Sequence, residues 1–462
     1  MAATTNTPSR AVERIKDEAA FTAGLRNRHL QGNIWKYFFQ AAIVIGIIAL
    51  LTLMFNVVNR IVGLVAVREI VDPATLADGR DLATLSAEEL ARIYSDYRLS
   101  GANTDGGRVF LRDNVIGRDT FQANPQAPMS QLLPNANLPP EVGALTFSEL
   151  QPADTQVVLA AAAGQATLLD AVITEIVGRE VLEAWTFTES TFNRAAIEER
   201  LASNEDWADA RLEWRSWLNP QFLTTRMTTI AADSGVRAAL LGSLVTIALT
   251  VLIAFPLGVG TAIYLEEYST GNSWFENFIE TNIRNLAGVP SIIYGLLGLA
   301  IFVRALESIT QGRTIISAAL TMALLILPVI IINAQEALRA VPPSIREASF
   351  GLGATRWQTV WNQVLPAAMP GILTGTILGM SRAIGETAPL IIVGAATFIA
   401  TDPGLTSRFT VLPIQIYTWT KDPRQGFSEI AAATIVLLLI VLLLFNATAI
   451  ILRQRFRRKL SG

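Results

Sequence analysis

A chain of 462 residues with 51% hydrophobic and only 16% charged residues, and a mean hydropathy of +0.40, is too apolar for an ordinary soluble protein and reads as a polytopic membrane protein. The absence of cysteine excludes disulfides and thiol chemistry. The net charge of −3 conceals an uneven distribution that divides the chain into two electrical halves.

Residues 1–36 form a polar N-terminal segment with Arg10, Arg14, Lys16, Arg26, Arg28 and Lys36. The apolar run Tyr37 to Val58 follows; it lacks an A-x-A-like end and is long for a signal-peptide core, so residues 37–59 are expected to be a retained transmembrane helix. Further runs long enough to cross a bilayer are Ala238 to Tyr264, Leu286 to Val303, Ile315 to Ile332, Gly371 to Ile399 and Ile430 to Leu452, six in all. A tail at 455–462 carries Arg455, Arg457, Arg458 and Lys459, just beyond Arg453. Cations at both ends place both termini in the cytoplasm by the positive-inside bias, and six spans satisfy the even number this requires.

Between the first two spans lies an inserted region, 60–236, with 14 Arg, no Lys and 25 Asp or Glu, a net of −11, against +8 for the remainder. It is expected to face outward, to the periplasm if an outer membrane exists. Its patterns are mostly helical: Leu85 to Tyr97 opens with the capping-box pair Ser86 and Glu89, and Asn193 to Leu218 carries apolar residues at near-helical spacing. The Pro- and Asn-rich stretch Asn124 to Pro140 reads as a loop between two halves. So negative a surface suits keeping stray anions away or simply staying soluble.

No catalytic constellation is present. The chain has no H-E-x-x-H, no G-x-S-x-G served by a histidine and no G-x-x-x-x-G-K-[ST], so it is not read as an enzyme, and any ATP that drives it is hydrolysed by another chain. No metal site and no bound cofactor are expected. The lone histidine, His29, lies among cations before the first span and reads as a surface residue.

The transmembrane part, 237–454, holds one charged segment between apolar runs, 336–370. Pro342 and Pro343 are expected to start a helix, Ser344 to Leu352, ended by Gly353 in a left-handed conformation; Thr355 caps a second helix to Leu365, where Pro366 stops it. Two short helices joined at a glycine make a compact knob suited to pressing on a partner, although a loop folded on the membrane surface, with Trp357 and Trp361 at the interface, accounts for the pattern equally well. In the fifth span, Arg382 and Glu386 stand i to i+4 on one helix face, at a depth where an ionisable group costs at least ~2.5 kcal/mol and marks function. Arginine suits an oxyanion because its planar fork donates paired hydrogen bonds and stays charged at any cellular pH; a permanent ion pair serving only assembly is the alternative. Thr387, Ser381 and Thr376 supply hydroxyls along the same helix. Pro290, Pro328 and Pro389 are candidate kinks, and Arg284 reads as a snorkelling residue.

Glu347, Ala348 and Ser349, then Gly353, then Leu365 and Pro366 resemble the E-A-A-x-x-x-G…I-x-L-P loop of ABC importer permeases, with Ser349 in place of an alanine and Gln363 in place of the isoleucine. The resemblance extends through Gly242 to Tyr268, Asn285 to Ala300, Ser381 to Ala395 and Leu412 to Trp419, about half the chain, and is similar to the phosphate-importer branch of that family. It implies an all-α, six-helix bundle of the MetI-like type with a large, mostly helical extracytoplasmic insertion. It also implies phosphate translocation across the inner membrane by alternating access, with Glu347, Ala348, Ser349, Gly353, Leu365 and Pro366 in the loop that docks on an ATPase, and Arg382, Glu386 and Thr387 in the substrate path. The implied partners are a homologous second permease subunit, two ATP-binding subunits that use ATP-Mg, a periplasmic phosphate-binding protein and membrane lipid, with no nucleic acid. A permease for sulfate, molybdate or phosphonate would share the loop and the fold; a proton-driven secondary transporter would not need the loop and would show two similar halves.

Overall fold

The computed structural model describes residues 9–98, 105–117, 120–121, 124–269, 273–396 and 402–460. Two compact units emerge, divided after Asn59.

The first unit is one continuous helix, α1, Ser9–Asn59. Its stretch from Gly32 to Asn59 is apolar enough to cross a bilayer, yet none of its hydrophobic window is buried within the protein. Side chains such as Phe38, Ile45 and Leu53 are about 60% exposed, an apolar surface that calls for a non-aqueous neighbour.

The second unit opens with the inserted region. Strand β1 (Val62–Glu69) is the centre of a three-stranded antiparallel sheet, flanked by β2 (Arg179–Ala184) and β3 (Arg211–Ser216). Here the helical expectation for Asn193 to Leu218 holds only at its start: a helix covers Arg194–Ser203, and the second part is β3. Arg-Leu-Glu-Trp-Arg-Ser alternates from residue to residue, a period of two that suits a strand paired register by register with β1, Leu212 opposite Ala66 and Trp214 opposite Leu64. The helix α2, Ala87–Arg98, begins as expected: Ser86 donates its backbone N–H to Glu89 at 2.9 Å and receives the Glu89 backbone N–H at 3.3 Å. With α3 (Pro152–Ala162) and α4 (Gln165–Val172) it encloses a core of its own around Leu90, Tyr94, Leu159 and Leu168. The Asn124 to Pro140 stretch is not a free loop, because Met129 and Leu132 lie in that core.

A second core continues from the sheet into the membrane helices. Val65, Val67, Val181, Trp217 and Phe222 are packed with Leu412, Trp419, Phe427 and Ile430. The sheet is therefore fused to the helices that close the chain.

The bundle itself contains α5 (Arg237–Ile263), α6 (Trp274–Ala287), α7 (Ser291–Gly298, continuing in wider turns to Ala305), α8 (Ile315–Arg339), α9 (Pro343–Gly351), α10 (Leu365–Gly385), α11 (Ala388–Val393), α12 (Leu412–Thr420) and α13 (Phe427–Leu460). Among the described residues, five helices are long and apolar enough to span a membrane, α1 included. The expected third span, Leu286 to Val303, is not straight: α6 and α7 meet at Gly288, Val289 and Pro290 with a bend of 109°, and the pair makes a sixth span only if counted together. Proline at 290 has no N–H to continue α6, and its fixed φ starts α7.

Small residues set the spacing of the helices. A Cβ on Gly298 would lie 2.1 Å from the Thr321 hydroxyl, and one on Gly375 would lie 2.2 Å from Cβ of Asn333. These glycines let α7 and α10 close on α8, as apolar helices in lipid require when packing rather than hydrophobic burial holds them together.

Candidate functional site

Two places carry the residues singled out by the sequence. At the end of the bundle bearing residues 336–370, α9 ends in a Schellman turn: Gly353 N–H donates to Phe350 at 2.9 Å and Ala354 N–H to Ser349 at 3.2 Å, with Gly353 at φ +80°. Thr355 then caps the next helix in a reciprocal box with Gln358. That helix does not stop at Pro366 as expected. It runs from Arg356 to Gly385 without a break, because wide turns over Val360–Val364 spread the backbone where proline removes a donor and crowds the preceding carbonyl.

The knob is held from behind. Arg346 donates to Glu267 from Nη2 at 2.6 Å and from Nε at 3.2 Å, and to the carbonyls of Val341 and Leu338 at 2.9 and 3.0 Å. Arg339 bonds Glu266 at 2.7 Å, and Arg356 lies over the Tyr268 ring at 5.9 Å. Three consecutive residues after α5 thus receive three arginines from α8, α9 and the helix that follows. The sequence reading missed this; its signal was the Glu266-Glu267 pair closing a span opposite a segment rich in arginine. Ser349, where the family motif has alanine, shares a hydrogen bond of 2.9 Å with Thr359 that ties the two halves of the knob. With its back so occupied, α9 presents Glu347, Ala348 and Phe350 to the outside, and Leu352 is 91% exposed. Leu365 is buried behind them, with Pro366 half-buried.

The second place is a break in the fifth span. Helix α10 ends at Gly385, Glu386 has extended backbone at ψ 121°, and α11 begins after Thr387 with Pro389 in its first turn. The Gly371 to Ile399 run is consequently two helices, and its residues 397–399 lie outside the described ones. Arg382 and Glu386 still meet, Nε to Oε1 at 3.4 Å, although Glu386 stands just past the helix end and not on its face. Pro389, expected to kink the span, instead marks a stop and a restart together with Gly385 four residues earlier.

Arg382 is 51% exposed and Glu386 21%. Leu378, Arg382 and Gly385 form one exposed stripe along α10, while Ile372, Thr376, Gly379 and Ala383 face the bundle. Two of the three candidate hydroxyls are already engaged: Thr376 donates to the Ile372 carbonyl at 2.9 Å and Ser381 to Asn446 at 2.8 Å. Thr387 is half-buried and its hydroxyl has no hydrogen-bond partner among the described residues. Arg284 pairs with Glu280 at 2.9 Å on the exposed side of α6. No group of three or more His, Cys, Asp or Glu that could hold a metal ion occurs among the described residues.

The bundle thus combines a broken helix carrying a half-exposed arginine with an exposed two-helix knob. Residues 254–462 match the family described as binding-protein-dependent transport system inner membrane component. The chain is 38% identical over 221 residues to phosphate transport system permease protein PstA 1 of Mycobacterium tuberculosis, 47% of this chain and 70% of that protein. A probable ABC transporter permease protein, YqgI of Bacillus subtilis, is 40% identical over 182 residues, 39% of this chain and 60% of the relative's length. Phosphate transport system permease protein PstC of Pasteurella multocida is 33% identical over 180 residues, 34% of this chain and 56% of that protein. The chain belongs to the binding-protein-dependent transport system inner membrane component family and is a membrane-spanning permease.

Proposed function

We propose that this chain is one of two related permease subunits of an ATP-driven importer that carries inorganic phosphate across the inner membrane. The observation that carries the reading is Arg382. A guanidinium half exposed on a span is expensive against lipid, so the α10 stripe is covered in the assembly by a second permease, and Arg382 lines the seam between them. Among the described residues its ion-pair partner is Glu386, at 3.4 Å. A pair this open is worth no more than ~1 kcal/mol, so phosphate can exchange for the carboxylate without a large barrier.

Glu386 compensates the cation when the path is empty. The break at Gly385 to Thr387 leaves Arg382 in the last turn of α10, where the helix dipole favours a cation, and leaves Thr387, next to Glu386 in sequence and with no hydroxyl partner among the described residues, as a donor to the anion. Too firm a grip would stall release, which a single arginine fork avoids.

The knob formed by Glu347 to Gly353 docks on an ATP-binding subunit, which uses ATP-Mg; this chain holds no nucleotide itself. Closure of two such subunits moves α9, and the Arg346–Glu267 and Arg339–Glu266 pairs transmit the motion to α5. The path then opens outward to a phosphate-loaded binding protein. In this reading both termini are cytoplasmic and the region 60–236 faces outward, where it meets the binding protein or the partner permease.

The test is reconstitution of the chain with its neighbouring subunits in proteoliposomes. ATP-dependent accumulation of phosphate that excess sulfate, molybdate or phosphonate does not suppress supports the reading. Accumulation of one of those anions instead would retain the permease and change the substrate.

A further inference from the structure

At the end of the bundle opposite the knob, a cavity of about 410 Å³ opens between the end of α7, the turn before α8 and the segment before α12. Three arginines line it, Arg304, Arg313 and Arg408, against one carboxylate, Glu307. None of the three makes an ion pair with a described residue, and Asp402, six residues before Arg408 in sequence, is already paired with Arg237 at 2.7 Å. All three are solvent-exposed, so water screens their mutual repulsion while their donors stay available to an anion.

The wall is also built firmly. Gln311 and Gly312 both adopt left-handed backbone, at φ +58° and +83°, and Thr310 and Ser317 hold the turn through hydrogen bonds to the carbonyls of Phe302 and Gly312, each at 2.5 Å. Arg313 lies across Gly394, where an added Cβ would come within 2.5 Å of its Cδ. Helix α7 connects this cavity with the break in the fifth span. Its Gly295 approaches Pro389 so closely that a Cβ would sit 2.8 Å from the Pro389 Cα. Arg304 follows about 12–13 Å further along the same helix.

We infer that Arg304, Arg313 and Arg408 form an outer receiving site for a tetrahedral inorganic oxyanion, which passes from there along α7 to Arg382. This inference rests on the transport reading above. Beneath a region of net charge −11, a local positive cavity concentrates an anion that would otherwise be repelled, and several guanidinium forks can share one phosphate without holding it as a buried pair would.

The chain has no cysteine, so Thr406→Cys introduces a single thiol in this subunit, on the cavity wall. In the complete transporter, a sulfonate-bearing thiosulfonate reagent should label it several-fold faster than a trimethylammonium one, after correction for their rates on a free thiol. Inorganic phosphate should slow that labelling. Arg313→Gln with Arg408→Gln should abolish both effects, and Arg313→Lys with Arg408→Lys should retain the preference for the anionic reagent, showing that the charge and not the fold is responsible. The phosphate effect should persist in Arg382→Ala, so a failure of transport at Arg382 is separable from a failure of the outer site. In uptake, the glutamine variants should raise KM about three- to tenfold, the loss of one or two charge-assisted contacts, at an unchanged maximal rate. Labelling indifferent to phosphate, or protection that survives the glutamine substitutions, would overturn the outer site even if phosphate is transported.

Discussion

Arg346 grips Glu267 with two of its nitrogens, the shorter contact being 2.6 Å, while its remaining donors close the carbonyl ends at Leu338 and Val341. One side chain thereby fastens the exposed knob to the helix that precedes it by about 80 residues. The Glu267 side chain is only 9% exposed, so removing its partner leaves a charge with little water around it.

Arg346→Ala should therefore destabilise the protein by about 3 kcal/mol, more than Glu267→Gln, which leaves a neutral acceptor for the same arginine. Thermal melting of the purified complex, with ATP hydrolysis followed in parallel, checks both halves: the alanine variant should lower Tm and uncouple hydrolysis from transport. Equal melting of the two variants would mean that the pair is decorative.

Ser349→Ala restores the motif's alanine and removes the bond to Thr359. The expected cost is about 1 kcal/mol, felt locally, so hydrogen exchange should accelerate over residues 349–359 with transport nearly unchanged. Gly353→Val acts differently, because φ +80° is hostile to a β-branched residue; it should reduce co-purification of the ATP-binding subunit.

Two glycines in the bundle make a matched pair. Gly298→Ala drives a methyl into Thr321, 2.1 Å from its hydroxyl oxygen, whereas Gly260→Ala meets nothing within 4 Å. The first should cost about 1–3 kcal/mol from overpacking, and the second should be neutral or stabilising by up to ~1 kcal/mol from helix propensity. Melting of the two variants in the same detergent decides it.

In the inserted region, the Ser86 backbone N–H and then Arg80 hold the Glu89 carboxylate down, to about 2 against its ordinary 4.5. A carboxylate depressed on folding contributes stability that is complete above its unfolded value and fades as pH falls towards the folded one. Hydrogen exchange over residues 87–98 should thus separate wild type from Glu89→Gln at pH 6, and the difference should close between about pH 4.5 and 2. A difference that stays constant through that window would remove the ionised carboxylate from the account.

Most of the bundle was legible because apolar runs of span length announce themselves, and the knob was legible because Gly353, Thr355 and the prolines each permit few conformations. What escaped was non-local. Whether Pro366 stops a helix depends on neighbouring turns that can widen to accept it, and Pro290 and Pro389 break their spans because glycines lie close before them. The strand Arg211–Ser216 was hidden inside a charge-rich run with helix-forming residues, and only its pairing with Val62–Glu69 selects the period of two. Arg382 was visible as a charge out of place, but its openness belongs to the packing: the buried face of α10 is set by Gly375 against Asn333, and the arginine falls on what is left.

The most direct test of the central claim is uptake of labelled phosphate by the complete transporter in proteoliposomes, wild type against Arg382→Ala at matched membrane levels and with the ATP-binding subunits retained. Uptake by the wild type and none above background by the variant, with assembly intact, is the predicted result. Undiminished uptake by Arg382→Ala would contradict it and move the anion path away from the break in the fifth span.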